Sequence, residues 1–218
     1  MNAVPPAAPT RARVPVWARR TFDMIPTPWL ITGGTGALLA FTAAFGGLDT
    51  VPAPPAPELA VGDEFTGSDL SITVVGVEIT DTRRGSGVFP DQDKGERVLT
   101  IFVDVTNEYS RPRPVSTSLT HSPVVDGITV EGLSTGKPSI ARADDSTSAV
   151  VLQPDVTAPL IVSWTVPGDA VRAGDEVRIT LPDSTRVVGE SVVRGEFWTD
   201  VVVGARVTAH VHEGVAPE

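Results

Sequence analysis

The sequence contains no cysteine and only one tyrosine, two methionines and three histidines among its 218 residues. The lack of cysteine excludes disulfides, thiolate metal centres, a cysteine nucleophile and acylation of a lipoprotein cysteine. Three histidines provide few candidate ligands for a zinc site, which requires three or four, and few candidates for general acid–base catalysis. We therefore predict no catalytic residue, no metal site and no cofactor, and we expect a protein that is not an enzyme.

Charge is distributed unevenly along the chain. Residues 1–27 carry four arginines against one aspartate, whereas the rest carries 13 basic and 26 acidic side chains, and the whole chain has a net charge of -10. An acidic surface repels the phosphate backbone of nucleic acids. We therefore exclude nucleic acid as a partner.

Residues 28–48 form a predominantly apolar stretch of 21 residues without a charged side chain. As a helix it would measure about 31 Å, close to the hydrocarbon thickness of about 30 Å. Arginines before it and acidic residues after it favour a cytoplasmic N-terminus. These features predict a basic cytoplasmic tail over 1–27, a single transmembrane helix over 28–48 and a plasma-membrane protein whose C-terminal domain is extracellular. A signal peptide cleaved near residue 45 is the alternative.

Within this stretch, Gly36, Ala40 and Ala44 recur every four residues. On a helix they form one ridge of small side chains, which allows a second helix to approach closely. The ridge predicts packing against another copy or against a larger membrane protein. The alternative is that a segment rich in glycine and alanine shows this spacing by composition.

Residues 49–60 are rich in proline and alanine and predict a semi-rigid linker. From Val61 onward, apolar residues alternate with polar ones, the pattern of half-buried strands. The clearest examples are Leu99, Ile101, Val103 and Val105, and then Leu160, Val162, Trp164 and Val166. The alternation changes phase at Val75-Gly76, which predicts a β-bulge. Residues 61–213 therefore predict an all-β, antiparallel β-sandwich, with the last strand over Val201–Val211.

Several segments of this domain resemble a family of bacterial extracellular immunoglobulin-like domains of unknown function, which is related to the secreted mycobacterial immunoprotective antigen. The most specific segments are the strand that ends in Val105-Thr106-Asn107 and the run Trp164-Thr165-Val166-Pro167. The resemblance covers about residues 61–188 and implies an immunoglobulin-like sandwich on a membrane or lipoprotein anchor, with no established activity. The chain departs from the lipoprotein members because it lacks cysteine.

The long loop between the first two long strands is the predicted binding surface, because long loops are often functional. It carries the charged residues Arg83, Arg84, Asp91, Asp93 and Glu96. The acidic residues match a calcium-binding EF-hand only in part, since the glycine comes one residue early and no helix follows. His210 and His212 lie two apart on one strand and supply too few ligands for zinc.

Together these patterns predict a non-enzymatic, membrane-anchored module that binds another protein or assembles the envelope, as a homo-oligomer or as a subunit of a larger membrane complex. The alternative is a secreted protein that binds a ligand or metal ion after signal cleavage.

Overall fold

The computed structural model describes residues 27–44, 55–82, 85, 87–116, 125–133, 136–189 and 195–214. The chain divides into two compact units, Met1–Pro54 and Pro55–Glu218. Residues 1–26 of the predicted tail over 1–27, residues 45–54, and the loop residues Arg83 and Arg84 lie outside the described residues.

The first unit contains one described helix, α1 (Thr27–Ala44). The hydroxyls of Thr32 and Thr42 donate to the carbonyls of Pro28 and Leu38, at 2.9 and 2.8 Å. Within the described residues, no helix combines the length and the apolarity that crossing a membrane requires. The structure therefore does not support the predicted transmembrane helix over 28–48, because threonine and glycine dilute the apolar character of α1 and because residues 45–48 are not described.

The second unit consists of strands with short turns. The described strands are β1 (Glu58–Ala60), β2 (Glu64–Thr66), β3 (Leu70–Thr80), β4 (Glu96–Asn107), β5 (Arg113–Pro114), β6 (Thr129–Val130), β7 (Ser139–Arg142), β8 (Val151–Leu152), β9 (Thr157–Pro167), β10 (Glu176–Gly189) and β11 (Gly195–Glu213). Residues 58–60, which the sequence assigned to the linker, form β1.

The order of paired strands is β6-β10-β11-β3-β4-β9-β7, while β1 also pairs with β11, β2 with β3, and β5 with β8 in a small separate sheet. The long strand β11 joins two sheets, because it pairs with β10 from Gly195 to His210, with β1 within that range, and with β3 at its end. The pairings of β11 with β1 and β3 are parallel. The prediction of a purely antiparallel sandwich was therefore wrong for these two pairs, which involve a strand shared between sheets.

Both sheets contribute to one hydrophobic core, so the predicted β-sandwich is confirmed. Apolar residues at alternate positions of β3, β4 and β9 meet those of β10 and β11 in a single buried cluster. The predicted inward positions of β4, from Leu99 to Val105, are all buried. Burying each such side chain stabilises the fold by about 1.5–3 kcal/mol relative to leaving it exposed.

The predicted β-bulge is confirmed, since the register of β3 with β4 shifts between Val74 and Gly76. Val75 is therefore turned outward and exposed, while Val74 and Val77 are both buried. The last strand differs from its prediction. It starts at Gly195 rather than Val201, and Val201 and Val203 are exposed although they continue the alternation of the buried residues Ala205 and Val207.

Candidate functional site

The predicted binding loop contains a short 3-10 turn, Gln92–Lys94, which its acidic residues hold in place. Asp91 accepts a hydrogen bond from the amide of Asp93 at 3.2 Å and pairs with Lys94 at 2.8 Å. The carboxylate of Glu96 accepts from the amide of Asp91 at 2.9 Å. Two of the three acidic side chains thus order the loop itself. No three metal-binding side chains come together among the described residues.

Arg97 joins this loop region to the end of β11. Its guanidinium lies 2.5 Å from Asp81, just after β3, and 2.5 Å from Glu213, at the end of β11. Burial lowers the pKa of Arg97, but the hydrogen bonds to Asp81 and Glu213 outweigh that effect and hold it above its ordinary value. This arginine closes one end of the sandwich, next to the predicted binding loop.

A second feature lies where β10 and β11 extend past the sandwich. We call residues 182–189 of β10 and 195–203 of β11 the ribbon. Within it the two strands pair with each other, from Pro182 with Val203 to Gly189 with Gly195. Among the described residues, the strands β6, β1 and β3 pair with β10 or β11 only outside the ribbon. The ribbon is therefore held to the domain mainly by side chains.

Trp198 is the main contact between the ribbon and the domain. Its indole N–H donates to Asp69, and its ring stands perpendicular to that of Tyr109 at a centroid distance of 5.4 Å. The guanidinium of Arg113 lies 4.5 Å from the centre of the same ring, a cation–π arrangement. All four side chains are buried, and Arg113 is only 2% exposed.

Asp69 and Arg113 form an ion pair that belongs to the domain body. Asp69 lies between β2 and β3, Arg113 lies in β5, and Nη1 of Arg113 donates to Oδ2 of Asp69 at 3.4 Å. Burial lowers the pKa of Arg113 below its ordinary value, against the opposing attraction of Asp69. Within the described residues, Nε of Arg113 has no hydrogen-bond partner. A cavity of about 10 Å³, roughly the volume of one water, adjoins this pair.

Further charges surround the Trp198 contact. Arg186 of the ribbon lies 3.9 Å from Asp69 and 3.7 Å from Glu196, and its guanidinium is 5.3 Å from the centre of the Tyr109 ring. Arg111 lies 3.9 Å from Glu196. Acidic and basic groups therefore alternate from the buried Trp198 contact towards the solvent.

The base of the ribbon is fixed by a close approach to the segment that follows β2. The carboxylate of Asp183 accepts from the amide of Ser68 at 3.0 Å. Gly204 lies against the ring of Phe65, so that a β-carbon at this position would be 2.8 Å from Cε1 of Phe65. Only glycine fits this position without displacing the ring, because real β-carbons do not approach other heavy atoms this closely.

The ribbon exposes a set of apolar side chains. Val188, Val201, Val202 and Val203 are between 40% and 59% exposed. None of the ribbon residues belongs to the hydrophobic core cluster. Val201–Val203 are consecutive, so exposed valines lie on both faces of the ribbon, and Val188 lies near its other end, opposite Glu196. Single exposed apolar residues are common, but a run of them marks a surface that can bind another protein.

The remaining residues considered in the sequence play no part in this arrangement. His210 and His212 are exposed on β11, and the third histidine of the chain, His121, lies outside the described residues. Gly36, Ala40 and Ala44 all lie in α1, with the spacing of one ridge, and their role in helix packing stays a prediction.

Sequence reasoning missed the Trp198 contact because its members are far apart in the chain. Asp69 precedes Arg113 by 44 residues and Trp198 by 129. No short spacing connects them, and each is unremarkable in its own segment. The one usable signal was Trp198 itself, a large aromatic residue in a segment that shows no other aromatic besides Phe197.

No protein-family model matches the chain, and neither does any curated protein. Among solved structures, the chain is similar to an uncharacterized β-sandwich protein from Clostridium difficile 630, with a TM-score of 0.46, 12% identity, and coverage of 74% of this chain and 97% of that one. It is also similar to a protein of Bacillus subtilis strain 168 described as a putative lipoprotein, with a TM-score of 0.34, 16% identity, and coverage of 63% of this chain and 38% of that one. No link to the mycobacterial antigen is shown, so that resemblance stays a prediction.

Proposed function

We propose that this protein is a non-enzymatic binding module of the bacterial cell envelope, whose immunoglobulin-like sandwich presents the ribbon to a protein partner outside the cell. The observation that carries the proposal is the set of exposed valines, Val188 and Val201–Val203, on an element that contributes no residue to the main hydrophobic core cluster. Apolar side chains in such a position contribute nothing to the core of their own domain, whereas their burial by a partner is favourable.

The edges of the ribbon support the same proposal. Among the described residues, no strand covers its outer edges, so backbone groups there are available to an added strand. Strand addition combines main-chain hydrogen bonds with pockets for alternate side chains. The proposal replaces the predicted loop as the leading contact, since Asp91 and Glu96 already serve to order that loop.

In addition to a binding module, the sequence predicts attachment to the membrane through residues 28–48. The described helix α1 does not support it, and the proposal does not depend on it. Fractionation of the native protein, with determination of its N-terminal residue, separates an intact anchored chain from a secreted chain that starts near residue 45.

Site-specific photo-crosslinking in the native cell tests the binding surface. A photoreactive residue replaces Val202 in the ribbon, Phe89 in the predicted loop or Val156, an exposed valine between β8 and β9 that serves as the matched control. We expect one discrete crosslinked product from position 202 and none from position 156. A product from position 89 alone would mean that the loop, and not the ribbon, binds the partner. Equal products from all three positions would contradict a specific binding surface.

A further inference from the structure

The two partners of the buried ion pair, Asp69 and Arg113, both belong to the domain body, whereas Trp198 and Arg186 belong to the ribbon. When the ribbon lies in place, Trp198 covers Arg113 and removes the pair from water. Desolvation of an ion pair opposes its burial and can exceed the Coulomb attraction. Docking of the ribbon therefore carries an electrostatic penalty that would disappear if the ribbon moved away.

The local contacts around Trp198 include some that oppose the docked arrangement and others that favour it. Within the described residues, Nε of Arg113 is buried without a hydrogen-bond partner, and Oε2 of Glu196 has only the ion-pair contact with Arg111 at 3.9 Å. A buried polar atom without a hydrogen bond opposes the docked arrangement. The contacts of the Trp198 indole with Asp69, Arg113 and Tyr109 favour it. Because the core cluster contains no ribbon residue, the sandwich keeps its core when the ribbon leaves.

The base of the ribbon has the geometry of a hinge. The pairing of β10 with β11 shifts register between Leu181 and Pro182 and again between Asp183 and Thr185. Asp200, on the opposite strand, has a positive φ of 52°. Bulges bend and twist a strand pair, so the ribbon can change direction here while its own cross-strand hydrogen bonds persist.

We propose that the ribbon is a conformational switch, in which Trp198 closes over the Asp69–Arg113 pair in one state and leaves it to water in the other. The inference rests on the proposed function, because it makes this movement the regulation of the same binding surface. In the open state both faces of the ribbon and the indole of Trp198 become accessible to a partner.

The switch predicts different effects of two variants on the open fraction of the ribbon. Asp69→Asn keeps an oxygen that can accept from Trp198 but leaves Arg113 buried without a counter-charge when the ribbon is closed, so the open fraction rises, by roughly tenfold or more. The double variant Asp69→Asn with Arg113→Met removes both charges and leaves a flexible apolar side chain under the indole. Its open fraction is expected to be no higher than that of the wild type, since apolar replacement of a buried pair is often neutral or stabilising.

Fluorine NMR of the full-length protein labelled with 5-fluorotryptophan measures the open fraction without any partner. The chain has four tryptophans, and loss of one signal in Trp198→Phe assigns the reporter. Trp164, buried in the core, serves as the internal control. We expect exchange between two environments at Trp198 only, with a larger open population in Asp69→Asn than in the double variant.

Three results would overturn the switch: a single Trp198 environment in all three proteins, an increase of the open fraction in both variants, or a parallel change at Trp164. A switching ribbon that gives no crosslink from position 202 would contradict the proposed function and leave the switch intact. A crosslink from position 202 of a ribbon that never opens would contradict the switch and leave the proposed function intact.

Discussion

Asn107 shows how one side chain can hold several loops of this domain. It is fully buried at the end of β4, and its amide nitrogen donates to the carbonyl of Arg111 at 2.8 Å and to that of Leu152 at 3.2 Å. Its amide oxygen accepts from the backbone of Tyr109 at 3.1 Å. The residue thus fixes the segment that carries Tyr109 and, beyond it, Arg113.

Asn107→Asp is therefore expected to destabilise the domain strongly. The carboxylate keeps the acceptor but provides no donors, and the carbonyls of Arg111 and Leu152 then face a negative charge, which costs about 2–4 kcal/mol in the free energy of unfolding. Urea denaturation measures the loss. Gln153→Glu makes the same chemical change at an exposed neighbouring position. An equal loss of stability there would show that the added negative charge, rather than the lost hydrogen-bond donors, is responsible.

Gly204 is the residue whose size matters most at the base of the ribbon. A β-carbon there would be 2.8 Å from Cε1 of Phe65 and 2.9 Å from Cβ of Asp183. Gly204→Ala must therefore displace the ring or the strand, and we expect a loss of about 1–3 kcal/mol in stability. At Gly76, in the β-bulge of β3, a β-carbon would meet no atom within 4 Å.

Gly76→Ala is consequently the matched control for Gly204→Ala, since it changes the same atom within a strand. Thermal unfolding of the two variants side by side separates a steric effect from a general effect of replacing glycine. Similar melting temperatures for both would mean that Phe65 moves aside at little cost.

At the scale of the strands, the ion pairs of Arg97 link two elements that are far apart in sequence, the loop after β3 and the end of β11. Arg97 is largely buried, but both of its acidic partners are mostly exposed. We expect Arg97→Gln to cost about 0.5–1 kcal/mol, as for a well-formed pair that is partly open to solvent.

Salt provides the check on this prediction. Urea midpoints of Arg97→Gln and the wild type should converge as ionic strength rises from about 0.01 to 1 M, because the Debye length falls from about 30 to 3 Å. Arg178→Gln is the control, since Arg178 is half exposed and lies 3.6 to 3.8 Å from its partners. A larger effect at Arg178 than at Arg97 would contradict the assignment of Arg97 as the stronger contact.

The strands could be predicted well where alternation reports burial directly. The inward residues of β4 and β9 and the phase change at Val75-Gly76 were all correct. Prediction failed at Val201 and Val203, because the alternation continues unchanged into the part of β11 that leaves the core. A sequence pattern identifies the two faces of a strand, but it does not show where the opposing sheet ends.

For the whole molecule, the β-sandwich follows from the order and spacing of short apolar segments, and it is confirmed. The site does not follow, because Asp69, Arg113 and Trp198 lie in segments far apart in the chain that only the tertiary fold brings together. The sharing of β11 between two sheets was equally hidden, since parallel and antiparallel neighbours place the same alternation on a strand.

The shared strand also determines how the domain responds to mechanical load. The chain enters the sandwich through β1 and leaves it through β11, and these strands run parallel, from Glu58 beside Arg206 to Ala60 beside Thr208. The end of β11 is likewise parallel to β3, from Val211 beside Val77 to Glu213 beside Ile79. Tension between the two ends therefore slides these strands along each other, so that their hydrogen bonds resist together instead of opening one at a time.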